Sequence, residues 1–204
     1  MELLISIDLP TLGYFLFIAA VSALTGFLIK LCDEISDTKL KLPAGLLLAL
    51  FYGAIIAYMI SYTSLSSLWL ATVAAMIVTG KLDKLHIYAL GSLVPALIFL
   101  PLNSFVLAYF IVFFVAAVID ELEINFLGGR RFVLDLAALG ISLISGNWLY
   151  FVSIVSFDAA YVLAGYAANK ERKLPNDSPR GSAPLVRHRP NPPRIAKSKN
   201  TKRA

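Results

Sequence analysis

The sequence has few of the residues that enzymes and secreted domains use for chemistry and cross-linking. It contains one cysteine, Cys32, which excludes an intramolecular disulfide framework. It has no phosphate-binding glycine loop, no G-x-S-x-G turn and no H-E-x-x-H pair, which excludes the enzyme classes defined by those motifs. His86 is the single histidine before residue 170, so a metal site in that part of the chain must be rich in oxygen ligands.

Charged residues are also scarce, and apolar residues take their place. Charged side chains make up 15% of the 204 residues and apolar side chains 58%, with a mean hydropathy of +0.76. Soluble domains are about 25% charged and about 45–50% apolar. A soluble domain of this length has too little interior for so many apolar side chains. The composition therefore predicts an all-α integral membrane protein.

Apolar runs between polar breaks predict the helices. A membrane-spanning helix needs about 20 mostly apolar residues. Seven runs approach that length, the third and sixth being short: 10–31, 43–62, 66–80, 86–101, 103–119, 132–146 and 147–168. We therefore predict one transmembrane domain over residues 1–169 with about seven helices. Glycines are expected to allow close helix approach at Gly80, Gly91, Gly140 and Gly165.

Basic residues occur on alternate connections only. Every Lys and Arg before residue 170 lies at the end of, or after, the first, third or fifth run: Lys30, Lys39, Lys41, Lys81, Lys84, Arg130 and Arg131. With seven helices, these connections fall on one side of the membrane, and the positive-inside rule makes that side cytoplasmic. The predicted topology in the cell membrane has the N-terminus outside and the C-terminus in the cytoplasm.

Residues 170–204 differ from the rest of the chain in composition. They hold eleven Lys and Arg against two acidic residues, whereas residues 1–169 hold seven against eleven. The segment is rich in proline and lacks apolar periodicity, which predicts a disordered cytoplasmic tail. Its basic residues are expected to contact anionic lipid headgroups. Nucleic-acid binding is the less favoured alternative, and the oligomeric state stays open.

A weak internal similarity predicts a duplication. The segment 33–53 aligns without a gap to 120–140, and the two share an Asp-Glu pair, two basic residues and a glycine. The alignment relates runs 1–3 to runs 5–7 as parallel repeats, with the fourth run as a linker. Some transporters are built from such repeats and bind their substrates at the repeat interface.

Carboxylates collect near the predicted cytoplasmic ends of the runs: Asp33, Asp37, Asp83, Asp120 and Glu121. Acidic residues contribute little to topology, so their number on this side needs another explanation. Mg²⁺ prefers carboxylate oxygens and often binds phosphates in its remaining positions. The pattern predicts a Mg²⁺ site formed by these five residues, with phosphate contacts from Lys81, Lys84 and Arg131 and with His86 as a proton carrier. The alternative is a set of solvated loop charges paired with nearby basic residues.

Such a site predicts a Mg²⁺-dependent membrane enzyme that acts on a lipid phosphate or diphosphate. The segments CDEISD (32–37) and IDELEIN (119–125) resemble, in chemistry alone, the Asp-rich cytosolic loops of intramembrane prenyltransferases. The resemblance implies a Mg²⁺ ion and an isoprenoid diphosphate. The asparagine-led pattern of three spaced aspartates in that family is missing here, so no residue role is carried over.

Asp158 indicates a different function. It lies about halfway along the seventh run, where an ionisable residue costs about 2.5–3.5 kcal/mol on insertion scales and indicates a functional site. Asp158 is a candidate catalytic residue. In the alternative function, a transporter or channel for a small solute or ion, Asp158 would be the site that binds or couples the transported species. The structural alternative is a protonated Asp158 bonded to a Ser or Tyr. Asp135 is expected to pair with Arg130 or Arg131, and a scaffold without a small-molecule site is a third alternative.

Overall fold

A computed structural model of the chain describes residues 9–38, 42–102, 104–122 and 132–173. These residues form seven α-helices: α1 (Leu9–Thr38), α2 (Leu42–Tyr62), α3 (Ser66–Val78), α4 (Lys84–Phe99), α5 (Leu107–Glu121), α6 (Val133–Ser145) and α7 (Leu149–Lys173). Each predicted run overlaps one of these helices, so the all-α prediction is confirmed. The predicted tail lies outside the described residues from residue 174 onward.

Three of the helices are long and apolar enough to cross a membrane, over Thr11–Ser36, Pro43–Tyr62 and Leu149–Ala168. Helices α3, α4 and α6 are apolar but shorter, with 13, 16 and 13 residues. Large apolar side chains are exposed on every helix, including Leu16, Leu47, Val78, Ile98, Leu107, Ile144 and Leu163. A surface of this kind is typical of helices that face lipid.

Helices α1 and α7 pack side by side and run in the same direction. Ser22 Oγ lies 2.8 Å from Ser153 Oγ, and further along both helices the Tyr161 hydroxyl donates to Asp33 Oδ2 at 2.7 Å. Between these contacts, a side chain at Gly26 would collide with the backbone carbonyl of Phe157. The two backbones therefore approach closely because position 26 has no β-carbon.

Helices α2 and α4 form a second pair, which is parallel because Gly45 lies against Leu85 and Gly53 against Ala89, and α3 packs against α5. The Ser92 hydroxyl donates to the Leu50 carbonyl at 2.9 Å, and a side chain at Gly53 would collide with the Ala89 carbonyl. A chain that reverses direction at each connection makes all odd-numbered helices run one way and all even-numbered helices the other. The parallel pairs α1 with α7 and α2 with α4 fit this arrangement.

Among the described glycines, Gly26 and Gly53 lie against a neighbouring helix backbone, and a β-carbon at Gly165 would lie 3.2 Å from Lys30 Cε. A β-carbon would meet no atom within 4 Å at Gly80, Gly91 or Gly140, so the prediction for these three glycines was wrong. Gly80 instead has a φ of +68° just after α3 ends, in the left-handed region that glycine adopts without steric cost. Glycine content alone does not distinguish a packing glycine from a helix-ending one.

The connections at one end of the bundle are neutral and hydrogen-bonded to one another. The backbone N–H of Val106, before α5, donates to Ser67 Oγ at 2.8 Å, and the Asn147 amide, before α7, donates to Ser64 Oγ at 3.0 Å. The connections 63–65, 100–106 and 146–148 contain no Lys, Arg, Asp or Glu. Most of the charged side chains that the structure describes lie towards the other end, where α1 and α5 finish and α4 and α6 begin.

The segments aligned as a duplication differ in where their helices end. Helix α1 continues five residues past Asp33, whereas α5 continues one residue past Asp120. An alignment without a gap does not produce this difference, and the duplication stays a prediction.

Candidate functional site

The first polar site begins at the N-terminus of α4. Asp83 is the N-cap residue, and its carboxylate accepts a hydrogen bond from the His86 backbone N–H at 3.0 Å. This bond satisfies one of the donors that a first helical turn leaves unpaired. The same carboxylate oxygen lies 2.5 Å from His86 Nδ1. The i, i+3 spacing thus holds the imidazole by one nitrogen and leaves the other for a neighbouring helix.

That other nitrogen meets helix α1. His86 Nε2 lies 3.4 Å from Asp33 Oδ1, and the second oxygen of Asp33 accepts the hydrogen bond from Tyr161 of α7. His86 is only 5% exposed, so the contact is inside the bundle. We call Asp33, Asp83, His86 and Tyr161 the histidine site. One ligand atom from each of Asp33, Asp83 and His86 lies within 4.8 Å of the others.

A buried tyrosine without a hydrogen-bond partner adjoins the histidine site. Tyr52 of α2 is 2% exposed, its ring centre lies 5.9 Å from that of His86, and both residues line one cavity of about 30 Å³. Its hydroxyl has no partner within the described part of the chain. A polar group left unpaired in this way costs about 1–3 kcal/mol. Because about 10–15 Å³ is enough for one water, a water or a ligand atom fits beside it.

Asp83 is ionised at neutral pH. Partial burial acts to raise the pKa of Asp83, but the hydrogen bonds from His86 and Ser36 outweigh it and hold the pKa below the ordinary value of 3.8. An ionised carboxylate beside Nδ1 favours the tautomer with its hydrogen on that nitrogen. A neutral imidazole in this state presents a free lone pair on Nε2 towards Asp33, whereas a protonated one donates to both carboxylates.

A second polar site lies between α5, α6 and α7. The Asp120 carboxylate accepts hydrogen bonds from the backbone N–H groups of Val133 at 3.1 Å and Leu134 at 2.7 Å, which caps the start of α6. The next residue, Asp135, is hydrogen-bonded through its side chain to Asp158 of α7. We call Asp120, Asp135 and Asp158 the carboxyl site. The arginines expected to pair with Asp135 lie outside the described residues.

The carboxyl site borders a second cavity, with a volume of about 40 Å³. Asp120, Glu121 and Asp158 line it together with Trp69, and most of the remaining wall is apolar. Trp69 is 3% exposed, and its indole N–H has no acceptor among the described residues. Four apolar residues line both cavities and therefore lie between the two sites: Ile29, Ile56, Val73 and Met76.

The predicted metal ligands are divided between the two sites. Asp33 and Asp83 meet at His86, whereas Asp120 and Glu121 line the other cavity. The four predicted ligands whose side chains the structure describes do not form a single ring. Two of the predicted site residues are not described, namely the Asp37 side chain and Arg131. The predicted phosphate contacts Lys81 and Lys84 are exposed on either side of Asp83.

Two residues of these sites carry little signal in the sequence. Tyr52 lies in an apolar run, where a tyrosine is ordinary. Trp69 follows a neutral connection, and such tryptophans are expected in an aromatic belt at the membrane interface. In the structure, the Trp69 ring packs edge-on against Phe157 of α7, with ring centres 5.5 Å apart. Unpaired polar atoms become visible only once the surroundings are known.

Comparisons with known protein families, with characterised proteins and with solved structures find no match to this chain. Function is therefore inferred from the chemistry of the two sites. The histidine site offers one nitrogen and two carboxylates from two helices. The carboxyl site offers carboxyl groups beside a cavity whose described lining residues include no Lys, Arg or His.

Proposed function

We propose that the protein is a multi-pass protein of the cell membrane, with seven helices in the bilayer, the N-terminus outside and the C-terminus in the cytoplasm. The neutral end supports this orientation, because the basic residues before residue 170 lie on the other connections. Helices α3, α4 and α6 would be about 20–24 Å long, shorter than a hydrocarbon core of about 30 Å. Local thinning of the bilayer accommodates such helices at modest cost.

Labelling of single cysteines in intact cells tests this orientation. In a Cys32→Ser background, Ser64→Cys at the neutral end should react with a membrane-impermeant maleimide added outside. Lys84→Cys at the charged end should react only after the membrane is permeabilised. Labelling of both positions from outside, or of Lys84→Cys alone, would overturn the proposed topology.

We further propose that the histidine site binds a divalent cation at the cytoplasmic face. The observation that carries this proposal is the 3.4 Å separation of Asp33 Oδ1 and His86 Nε2, from two different helices. Two adjacent ligands of one ion, each about 2.1 Å from it, lie about 3 Å apart in octahedral geometry and slightly further apart in tetrahedral geometry. Asp83 has the position of a carboxylate that orients a metal-binding histidine through its other nitrogen.

The donor set widens the choice of metal beyond the predicted Mg²⁺. Mg²⁺ prefers oxygen ligands, but an imidazole nitrogen also suits transition metals such as Mn²⁺ and Zn²⁺. In this proposal His86 is a ligand, which replaces the proton-carrier role predicted from the sequence. The unpaired Tyr52 hydroxyl would bond to a water on the cation.

The proposed reaction class is metal-dependent chemistry on a lipid phosphate or diphosphate. A cation at this site would hold phosphate oxygens in its open positions, and Lys81 and Lys84 stand exposed around Asp83 to contact the same group. The cavity of about 30 Å³ beside His86 is too small for a phosphate group. The headgroup would therefore approach from the charged end, with its hydrocarbon chain along the exposed apolar faces.

Calorimetric titration of the purified full-length protein with Mg²⁺ and with Mn²⁺, with and without inorganic diphosphate, tests the cation site. We expect saturable binding that Asp33→Asn weakens by at least about 100-fold, because it removes a direct ligand whereas second-sphere changes cost 10–100-fold. The matched control is Asp158→Asn at the carboxyl site, which should bind like the unmodified protein. Equal affinities for the unmodified protein and Asp33→Asn, or no binding under any condition, would overturn the proposal.

The carboxyl site favours a second candidate function, transport of a small cation or solute. Asp158 borders a cavity that lies in the helix bundle, has a size suited to water and is lined by three carboxylates. In a transporter, Asp158→Asn should abolish flux in proteoliposomes while Asp33→Asn is tolerated. The enzyme proposal predicts the opposite ranking for turnover of a lipid diphosphate, so the same two variants separate the candidates.

A further inference from the structure

The contact between Asp135 and Asp158 requires a hydrogen that neither ionised side chain carries. The two side chains are hydrogen-bonded to each other, and Asp135 Oδ1 is buried without any other partner in the part of the chain that the structure describes. An ionised carboxylate only accepts hydrogen bonds, so a bond between two carboxyl groups needs one of them to be protonated. Two ionised carboxylates at this separation would repel each other.

The side chains that the structure describes around this pair supply little positive charge to replace that proton. On α1, α5 and α7, the described charged groups besides Asp158 are Lys30, Asp33 and Glu34 on α1 and Asp120 and Glu121 on α5. The other titratable groups described there are Cys32 and the tyrosines Tyr14, Tyr109, Tyr150, Tyr161 and Tyr166. The base in this set, Lys30, contacts Glu34 at 3.3 Å and lies over the Tyr161 ring. The remaining groups are acids, and they favour retention of a proton by the pair.

A second observation at the same cavity indicates water. The Trp69 indole N–H is buried, lacks an acceptor in the part of the chain that the structure describes, and belongs to a residue that lines the cavity with Asp158. The volume of about 40 Å³ exceeds the 10–15 Å³ that one water requires. A water there would accept from the indole and donate to a carboxylate, which connects the pair to an exchangeable proton source.

We propose that Asp135 and Asp158 form a proton-binding site, in which one proton is held between the two carboxyl groups and exchanges with water in the adjoining cavity. The proton joins α6 to α7, and its loss leaves two carboxylates that repel each other across the same contact. The site lies on the other side of the four shared apolar residues from the histidine site. It therefore goes beyond the proposed cation binding and does not depend on it.

Infrared difference spectroscopy of the full-length protein in nanodiscs tests this proposal. At neutral pH the protein should show the C=O stretching band of a protonated carboxyl group. The band should shift when the buffer is exchanged to D₂O and disappear at alkaline pH. Asp135→Asn and Asp158→Asn should each abolish it, because the Asn amide donates to the remaining carboxylate without a proton. Asp33→Asn at the histidine site is the matched control and should retain it.

Each outcome decides the matter. A protein without this band at neutral pH, a band that survives both substitutions, or a band unchanged after exchange to D₂O would overturn the proposal. If a variant fails to fold, which gel filtration would show, absence of the band from the unmodified protein still overturns the proposal, and the other variant still tests the assignment. Because Asp33→Asn removes the cation site but not the carboxyl pair, failure of one proposal leaves the other testable.

Discussion

The histidine site and the carboxyl site use the same residue type in two ways. Each places aspartates from different helices against each other, and each adjoins a small cavity with one unpaired buried donor, Tyr52 or Trp69. In the first, an imidazole stands between two carboxylates. In the second, one carboxyl group meets another directly. The presence of an imidazole between the carboxylates suits the first site to a cation, and its absence suits the second site to a proton.

The hydrogen bonds around each aspartate follow the same division. Asp33 receives a hydroxyl donor, and Asp83 receives a backbone donor that stabilises its charged form. Asp120 receives two backbone N–H donors. Asp135 instead faces Asp158, and its Oδ1 has no other partner among the described residues. Acidic residues at similar positions in the sequence therefore differ in chemistry because their donors differ.

The largest effect is expected from His86→Ala. It removes the nitrogen ligand, so the affinity for Mn²⁺ should fall by at least about 100-fold, more than second-sphere substitutions cost. The infrared carboxyl band of the other site should be unchanged, which would separate the two sites experimentally. Calorimetry and infrared spectroscopy on the same preparation measure both. A change of less than about threefold in affinity would contradict a role of His86 as a ligand.

Gly26→Ala should weaken both sites together, because it pushes α7 away from α1. Overpacking of this kind costs about 1–3 kcal/mol, measured as the free energy of unfolding in detergent. The matched control is Gly140→Ala in α6, where a β-carbon meets no atom within 4 Å. That change should be neutral or stabilising, by up to about 1 kcal/mol. Equal stability of the two variants would argue against the close contact at Phe157.

Tyr161→Phe should have a smaller effect, confined to the histidine site. It removes the 2.7 Å hydrogen bond to Asp33 and should lower the free energy of unfolding by about 1 kcal/mol. The carboxyl band should persist. Tyr166→Phe on the same helix is the control, since Tyr166 is 71% exposed. A loss of stability in the control as large as in Tyr161→Phe would assign the effect to the helix and not to the bond.

The smallest effect concerns pH. The pKa of Asp83 is lowered, so its ionised form adds stability above its ordinary pKa of 3.8, and this contribution is lost as the pH falls through the lower folded value. The residue is partly exposed, so the contribution should stay below about 1 kcal/mol. Asp83→Asn keeps a capping side chain and should show a smaller loss of thermal stability on acidification. A loss identical to that of the unmodified protein would contradict this account.

The helices could be predicted from the sequence because their signal is local. An apolar run and the polar breaks beside it lie within about 20 residues. Each predicted run overlaps one helix, and the predicted and observed helix ends differ by up to seven residues. The unit of Asp83 and His86 is local too, since an N-cap residue and the third residue of the following turn are neighbours on any helix. The membrane topology rests on the same kind of signal and stays a prediction.

The partners across helices could not be predicted from the sequence. Asp33 and His86 are 53 positions apart, and Asp135 and Asp158 are 23 apart. The sequence places Asp33 and Asp120 in one predicted metal site, because each is followed by a glutamate at the end of an apolar run. Only the packing of α1 on α7, with Gly26 at the contact, and the position of α4 beside them decide which acid meets the histidine.

The sequence by itself therefore determined the helical class, the order of the helices and the concentration of charge on alternate connections. These follow from the free energy of burying apolar side chains and from hydrogen bonds within each helix, and both act over short stretches of chain. The tertiary structure alone decided which carboxylates share an imidazole and which share a proton. That choice depends on distances of about 3 Å between side chains from different helices, where hydrogen bonding and charge repulsion change steeply with separation.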